Sequence, residues 1–135
     1  MKTRFSIITI FLMGLLLFGC GENLNLIIDE TREICIMDQK KYWTEPLKDS
    51  IQNSGCIMLK PNSAEIIALS SWFKENQSNW RSNIASFAMP KYSFEYDHYK
   101  FRILEKVIVV NFTDEKGEPK QYTQDIDISN FNFLD

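Results

Sequence analysis

Apolar and polar positions change rhythm three times along this chain. From Phe5 to Phe18, 14 residues form a nearly unbroken apolar run, and polar sequence follows at once in GENLNLIIDET, residues 21–31. That segment reads as a short tether leading into an early strand. REICIMD (32–38) and CIMLK (56–60) have the length and branching of strands. Between them, the polar stretch from Gln39 to Gly55 carries Pro46 and the turn signal NSG. The rhythm then shifts to that of a helix in PNSAEIIALSSWFKENQSNW, where Ile66, Leu69, Phe73 and Trp80 share one stripe and Asn76 takes the periodic position between the last two. Asn62 after Pro61, with Glu65 three residues on, resembles a capping box, so the helix is expected to start there and to end near Asn79.

Beyond Pro90 the period becomes two. Tyr92, Phe94 and Tyr96 fall on one face of KYSFEY, and Tyr99, Phe101 and Ile103 on one face of YKFRIL. Asp97 and His98 between them suggest a tight hairpin. VIVVNF is nearly continuous in its apolar residues, as a central strand would be, TDEKGEPK makes a turn, and QYTQDIDI supplies another strand. In the tail SNFNFLD, Phe131 and Phe133 alternate, which suits either an edge strand or a segment docked on the sheet. The economical arrangement is α+β: an antiparallel β-meander of about four to six strands with one principal α-helix packed on it.

The apolar run at the start has a different use. Lys2 and Arg4 precede it, and Gly19 and Cys20 close it, the order of a secretory signal. Fourteen residues fall short of the roughly 20 needed to span a bilayer. Leu17, Gly19 and Cys20 resemble the lipobox of bacterial lipoproteins, with Phe18 bulkier than the usual residue there. The resemblance implies cleavage before Cys20 and attachment of acyl chains, diacylglycerol and palmitate, to that cysteine. In a Gram-negative host it further implies the periplasmic face of the outer membrane, because Gly21 is not the Asp that favours inner-membrane retention. Each buried methylene of such chains contributes about 0.8 kcal/mol of membrane affinity. The expected organisation is a signal peptide over 1–19, the lipidated cysteine and a short tether over 20–30, and a single α+β domain over 31–135.

Removing residues 1–19 takes Lys2 and Arg4 with it and leaves 116 residues, one domain by length, in which 13 basic residues face 18 acidic ones for a net charge of −5. This balance offers no basic footprint for nucleic acid. Trp43, Trp72 and Trp80 all lie in the mature part, where large rings suit a small core, so most of them read as packing. Cys35 and Cys56 remain as an even pair in apolar surroundings. In an oxidising envelope they are expected to form a disulfide, two buried free thiols being the alternative. No CxxC spacing points to a thiol oxidoreductase.

Catalytic chemistry is thinly supplied. His98 is the single histidine and falls in the expected turn, there is no GxSxG elbow, and a conventional zinc site lacks ligands. Asp125 and Asp127 alternate as paired carboxylates could, yet a solvated strand face opposite Ile126 and Ile128 explains them as well. TDEKGE lacks the calcium-loop pattern, and no glycine-rich phosphate loop exists. The sequence therefore predicts no enzyme, no cofactor and no metal site. The aromatic ladder has two readings: a core face, or, where exposed, a set of binding anchors formed by Tyr92, Tyr96 and Tyr99 with Trp72 and Trp80. The function expected is a non-enzymatic module that binds an envelope or periplasmic protein, with an inhibitor or immunity protein against a periplasm-acting toxin or enzyme as its concrete form. A structural accessory subunit of an envelope assembly or secretion complex is the alternative.

Overall fold

A computed structural model describes residues 21–44 and 55–134. The lipobox-like signal, Pro46 and most of the polar stretch around it lie outside the described residues, as does the side chain of Trp43. Strands β1 (Ile34–Asp38), β2 (Cys56–Leu59), β3 (Arg81–Ser82), β4 (Tyr92–Tyr96), β5 (Tyr99–Ile103), β6 (Val107–Thr113) and β7 (Pro119–Asp125) form one sheet in the order β2-β1-β4-β5-β6-β7-β3. Every neighbouring pair is antiparallel. A short helix α1 (Gln39–Thr44) follows β1, the principal helix α2 (Ala64–Glu75) follows β2, and two 3-10 turns, Ile128–Asn130 and Asn132–Leu134, end the chain. The α+β class and the single main helix agree with the pattern of the sequence. The sheet has seven strands, more than the four to six expected. The extra one is β3, two exposed polar residues with no alternation of their own that are strand only because they pair with β7.

The hairpin from β4 to β5 closes over Asp97 and His98 as anticipated, with Tyr96 opposite Tyr99 and Asp97 in the left-handed region at φ 53°. Helix α2 starts one residue later than the sequence suggests. Asn62 turns left-handed at φ 57°, which asparagine tolerates, and Ser63 becomes the N-cap, its hydroxyl accepting from the Ile66 N–H at 3.4 Å. The helix also stops early. Asn76 donates to the Trp72 carbonyl from both its backbone and its side chain, and Asn79 at φ 66° redirects the chain into β3. Trp80 still reaches the core, but from an isolated bridge to Glu22 just before β3 rather than from the helical stripe.

Alternation along the strands sends one set of side chains toward α2. Ile34 and Ile36 from β1, Tyr92, Phe94 and Tyr96 from β4, Phe101 and Ile103 from β5, and Ile108 and Val110 from β6 are buried with Ile66, Leu69, Trp72 and Phe73 of the helix. Ring contacts tie the layers together. Phe73 meets Phe101 edge-on at 5.1 Å, Phe94 stacks on Phe101 at 4.6 Å, and Trp72 meets Phe131 of the tail at 6.0 Å. The tail thus docks over the core instead of adding a strand, and the Tyr92 hydroxyl donates to the Leu134 carbonyl.

The segment expected as a tether is instead part of the domain. Glu22 and Trp80 exchange both backbone hydrogen bonds, at 2.7 and 3.0 Å, and the Leu24 N–H donates to the Gln77 carbonyl at 2.8 Å. Leu26 and Ile28 are buried, and the Ser70 hydroxyl, itself buried, donates to the Ile28 carbonyl. The reason is visible in NLNLII: Leu24, Leu26 and Ile28 alternate, and a strand-like apolar edge finds a surface. No helix among the described residues is long and apolar enough to cross a membrane.

Candidate functional site

The same alternation that builds the core leaves Cys35, Met37, Cys56, Met58, Ser93, Glu95, Lys100, Arg102, Val109, Asn111, Gln121 and Thr123 on the opposite, outer face of the sheet. Its β1–β4–β5 part holds an open depression of about 760 Å3, lined among others by Cys35, Met37, Ser93, Lys100, Arg102 and Asn111. Cys35 and Cys56 are joined by a disulfide that clips β1 to β2, with their Cα atoms 5.6 Å apart, and the Met37 sulfur lies 3.6 Å from that of Cys35. One wall therefore carries soft, polarisable sulfur beside the Glu33 carboxylate, the sulfur being the kind of surface that adapts to a partner.

The other wall is a polar ladder. Arg102 donates through Nη2 to Asn111 Oδ1 at 2.9 Å and to Gln121 Oε1 at 3.0 Å, and Asn111 Nδ2 donates to the same Gln121 oxygen at 2.8 Å. Gln121 Nε2 then holds the carbonyls of Asn83 and Ala85 at 3.0 and 2.9 Å, which lays the start of the β3–β4 connection against this side of the sheet. Gln39 Nε2 donates to the Ser93 hydroxyl at 2.7 Å. Amide oxygens fix the guanidinium of Arg102 without neutralising it, since among the described residues no carboxylate pairs with it. Lys100 does pair with Glu95 at 3.3 Å, but both side chains are exposed, and such pairs contribute little. A half-buried, pre-oriented arginine beside a sulfur-bearing wall is equipped to take a carboxylate or a carbonyl-rich surface.

The residues singled out from the sequence fall elsewhere. The disulfide pair is present on the outer face. Trp72, Trp80, Tyr92 and Tyr96 are buried, the least covered of them 8 % exposed, and Tyr99 is half-buried with its ring 5.2 Å from Phe112. Of the two readings of the ladder, Trp72, Trp80, Tyr92 and Tyr96 take the core one, packed between the sheet and α2 where burying their area outweighs leaving them in water, and Tyr99 sits at the margin of that core. His98 is exposed at the hairpin, its ring 4.0 Å from that of Tyr99. Asp125 and Asp127 do not act as a pair. The first ends β7 and meets Arg81 at 2.7 Å, whereas the second caps a 3-10 turn by accepting from Ser129, which holds its carboxyl below the usual carboxylate range. Among the described residues no group of three or more His, Cys, Asp and Glu is placed to hold a metal ion. Cys20 lies outside the described residues.

In the sequence, Arg102, Asn111 and Gln121 are masked by the stronger signal of the aromatic half of each alternation. The complementary half, Ser93, Glu95, Lys100 and Arg102, carried the signal, though not the fact that β1 and its cysteine would lie beside it. Comparison with known protein families, with curated protein sequences and with solved structures finds no match to this chain, so no relative assigns a role to the outer face.

Proposed function

We propose that this chain is a lipoprotein, held through acylated Cys20 at the periplasmic face of the outer membrane, whose domain is a non-enzymatic module that binds another protein through the outer face of its sheet. The observation that carries the reading is Arg102, oriented by Asn111 and Gln121, free of a carboxylate partner among the described residues, and set against the sulfur-lined wall of the depression. Arginines flanked by apolar surface are favoured as energetic centres of interfaces. A rigid antiparallel sheet adds the preorganisation that keeps binding from costing further ordering. The concrete form is an inhibitor or immunity protein that neutralises a toxin or enzyme reaching the periplasm.

The test is an affinity capture from detergent-solubilised envelopes of producing and neighbouring strains, with the full chain and its Arg102→Ala variant as paired baits. One stoichiometric protein captured by the first and lost by the second supports the reading, and a partner with toxic or enzymatic activity supports its concrete form. A membrane-machinery subunit as partner points to an accessory role in an envelope assembly. Equal capture by both baits removes the outer face from consideration.

A further inference from the structure

The first described residue leaves no slack for a tether. A Cβ placed on Gly21 would stand 2.3 Å from the Cα of Asn79, so only glycine permits this approach, and the next residue is locked to Trp80 by two backbone hydrogen bonds. The Glu22 carboxylate accepts from the Tyr122 hydroxyl at 2.7 Å, which fastens the same point to β7. Cys20 is separated from this clamp by one peptide bond, about 3.8 Å from Cα to Cα. An acyl chain on Cys20 would therefore emerge directly beside the β3 edge of the sheet.

That edge has the surface a bilayer would accept. Asn79 and Gln124 line a shallow hollow with Gly21, and the Arg81 and Asp125 charges there neutralise each other. Residues 82–90, SNIASFAMP, contain no charged side chain, and Ile84 within them is fully exposed at 101 %. Ile84 follows Trp80 by four residues, no more than about 14 Å along the chain. The depression on the outer face lies toward the other edge. Its strands β1, β4 and β5 stand five, four and three strand spacings from β3, roughly 24, 19 and 14 Å.

Resting on the lipoprotein reading, we infer that the β3 edge with Ile84 is a bilayer-contacting surface, so that the anchor holds the domain in one orientation and displays the β1–β4–β5 depression away from the membrane. Lipid headgroups and the upper acyl region are the partner, recognised through an edge whose charges, Arg81 and Asp125, are paired with each other, and through one exposed aliphatic side chain. A ten-residue flexible linker would instead let the domain roam by about 17 Å. The absence of such a spacer between Cys20 and Gly21 gives the arrangement its direction.

The experiment reconstitutes the acylated full chain in phosphatidylcholine nanodiscs carrying a nitroxide lipid and reads the methyl NMR signals of Ile84, Met37 and Met58. The expected result is loss of the Ile84 signal while those of Met37 and Met58 persist. Equal broadening of the three, or stronger loss at Met58, overturns the inference. Mass spectrometry of the same sample separates the failures: an unmodified Cys20 removes the lipoprotein reading and this inference with it, whereas acylated Cys20 with uniform broadening removes the inference alone.

Discussion

The two faces of this sheet are made by the same strands and differ in almost everything else. The face toward α2 is a continuous aromatic and aliphatic layer in which Phe101, Phe73 and Trp80 have at most 1 % of their surface exposed. The outer face carries a disulfide, two methionines and a ladder of amides around one arginine. Substitution in the first should cost stability, and substitution in the polar ladder of the second should cost recognition, the disulfide being the one part of that face that also holds the fold. That division follows from burial: removing packed rings forfeits transfer and cavity energy, whereas a half-exposed polar group can be rehydrated.

The sharpest way to break the comparison is Phe101→Ala, which removes a ring touching Phe73, Phe94 and Tyr99. Chemical denaturation should report a loss of about 3–5 kcal/mol. Next comes the clip on the outer face. Replacing Cys35 and Cys56 together by Ala opens a loop of 21 residues, and the same measurement should fall by about 3 kcal/mol. A loss near zero would mean that β2 is held by pairing alone.

A smaller effect concerns the clamp on the N-terminal segment. Its hydrogen bond to Glu22, and then its burial, hold the Tyr122 hydroxyl above the ordinary tyrosine range. A group that binds its proton more tightly in the folded state stabilises the fold fully below its unfolded pKa, about 10, and loses that contribution as pH rises through the folded value. Tyr122→Phe should therefore cost about 1 kcal/mol at neutral pH, and the gap between the two proteins should narrow in alkali. A gap independent of pH would place the effect in packing rather than in the clamp. Smallest in stability is Arg102→Ala, which leaves Asn111 and Gln121 bonded to each other and should shift unfolding by no more than about 0.5 kcal/mol. The same variant should weaken partner binding by tenfold or more, about 1.4 kcal/mol, measured by calorimetry once the partner is in hand.

Much of the architecture was legible because its signals are local. The alternation in KYSFEY and YKFRIL, the Asp97–His98 turn between them and the stripe of Ile66, Leu69 and Phe73 all depend on neighbours in the chain. The errors have equally local causes. Asn62 and Ser63 both suit the cap position by residue type, and only the left-handed backbone of Asn62 separates them. In residues 21–28 the polar positions of GENLN signal a tether while Leu24, Leu26 and Ile28 alternate as a strand edge does, and the alternation prevails because a surface is there to bury it. The candidate site was harder to find. An aromatic ladder announces that a face exists, but not whether a helix covers it.

By itself, then, the sequence determined the class of the fold, its one long helix, the hairpin and the existence of two chemically unlike faces, since periodicity is written residue by residue. Only the tertiary structure decided which face α2 would cover, that β2 and β3 would become opposite edges, and that the segment after Cys20 would be clamped beside β3. These depend on pairings between residues distant in sequence, such as Glu22 with Trp80 and Arg81 with Thr123. A strand's alternation specifies what each side will bury, while backbone hydrogen bonds accept any neighbour, so edge order is settled by the packing of the whole sheet.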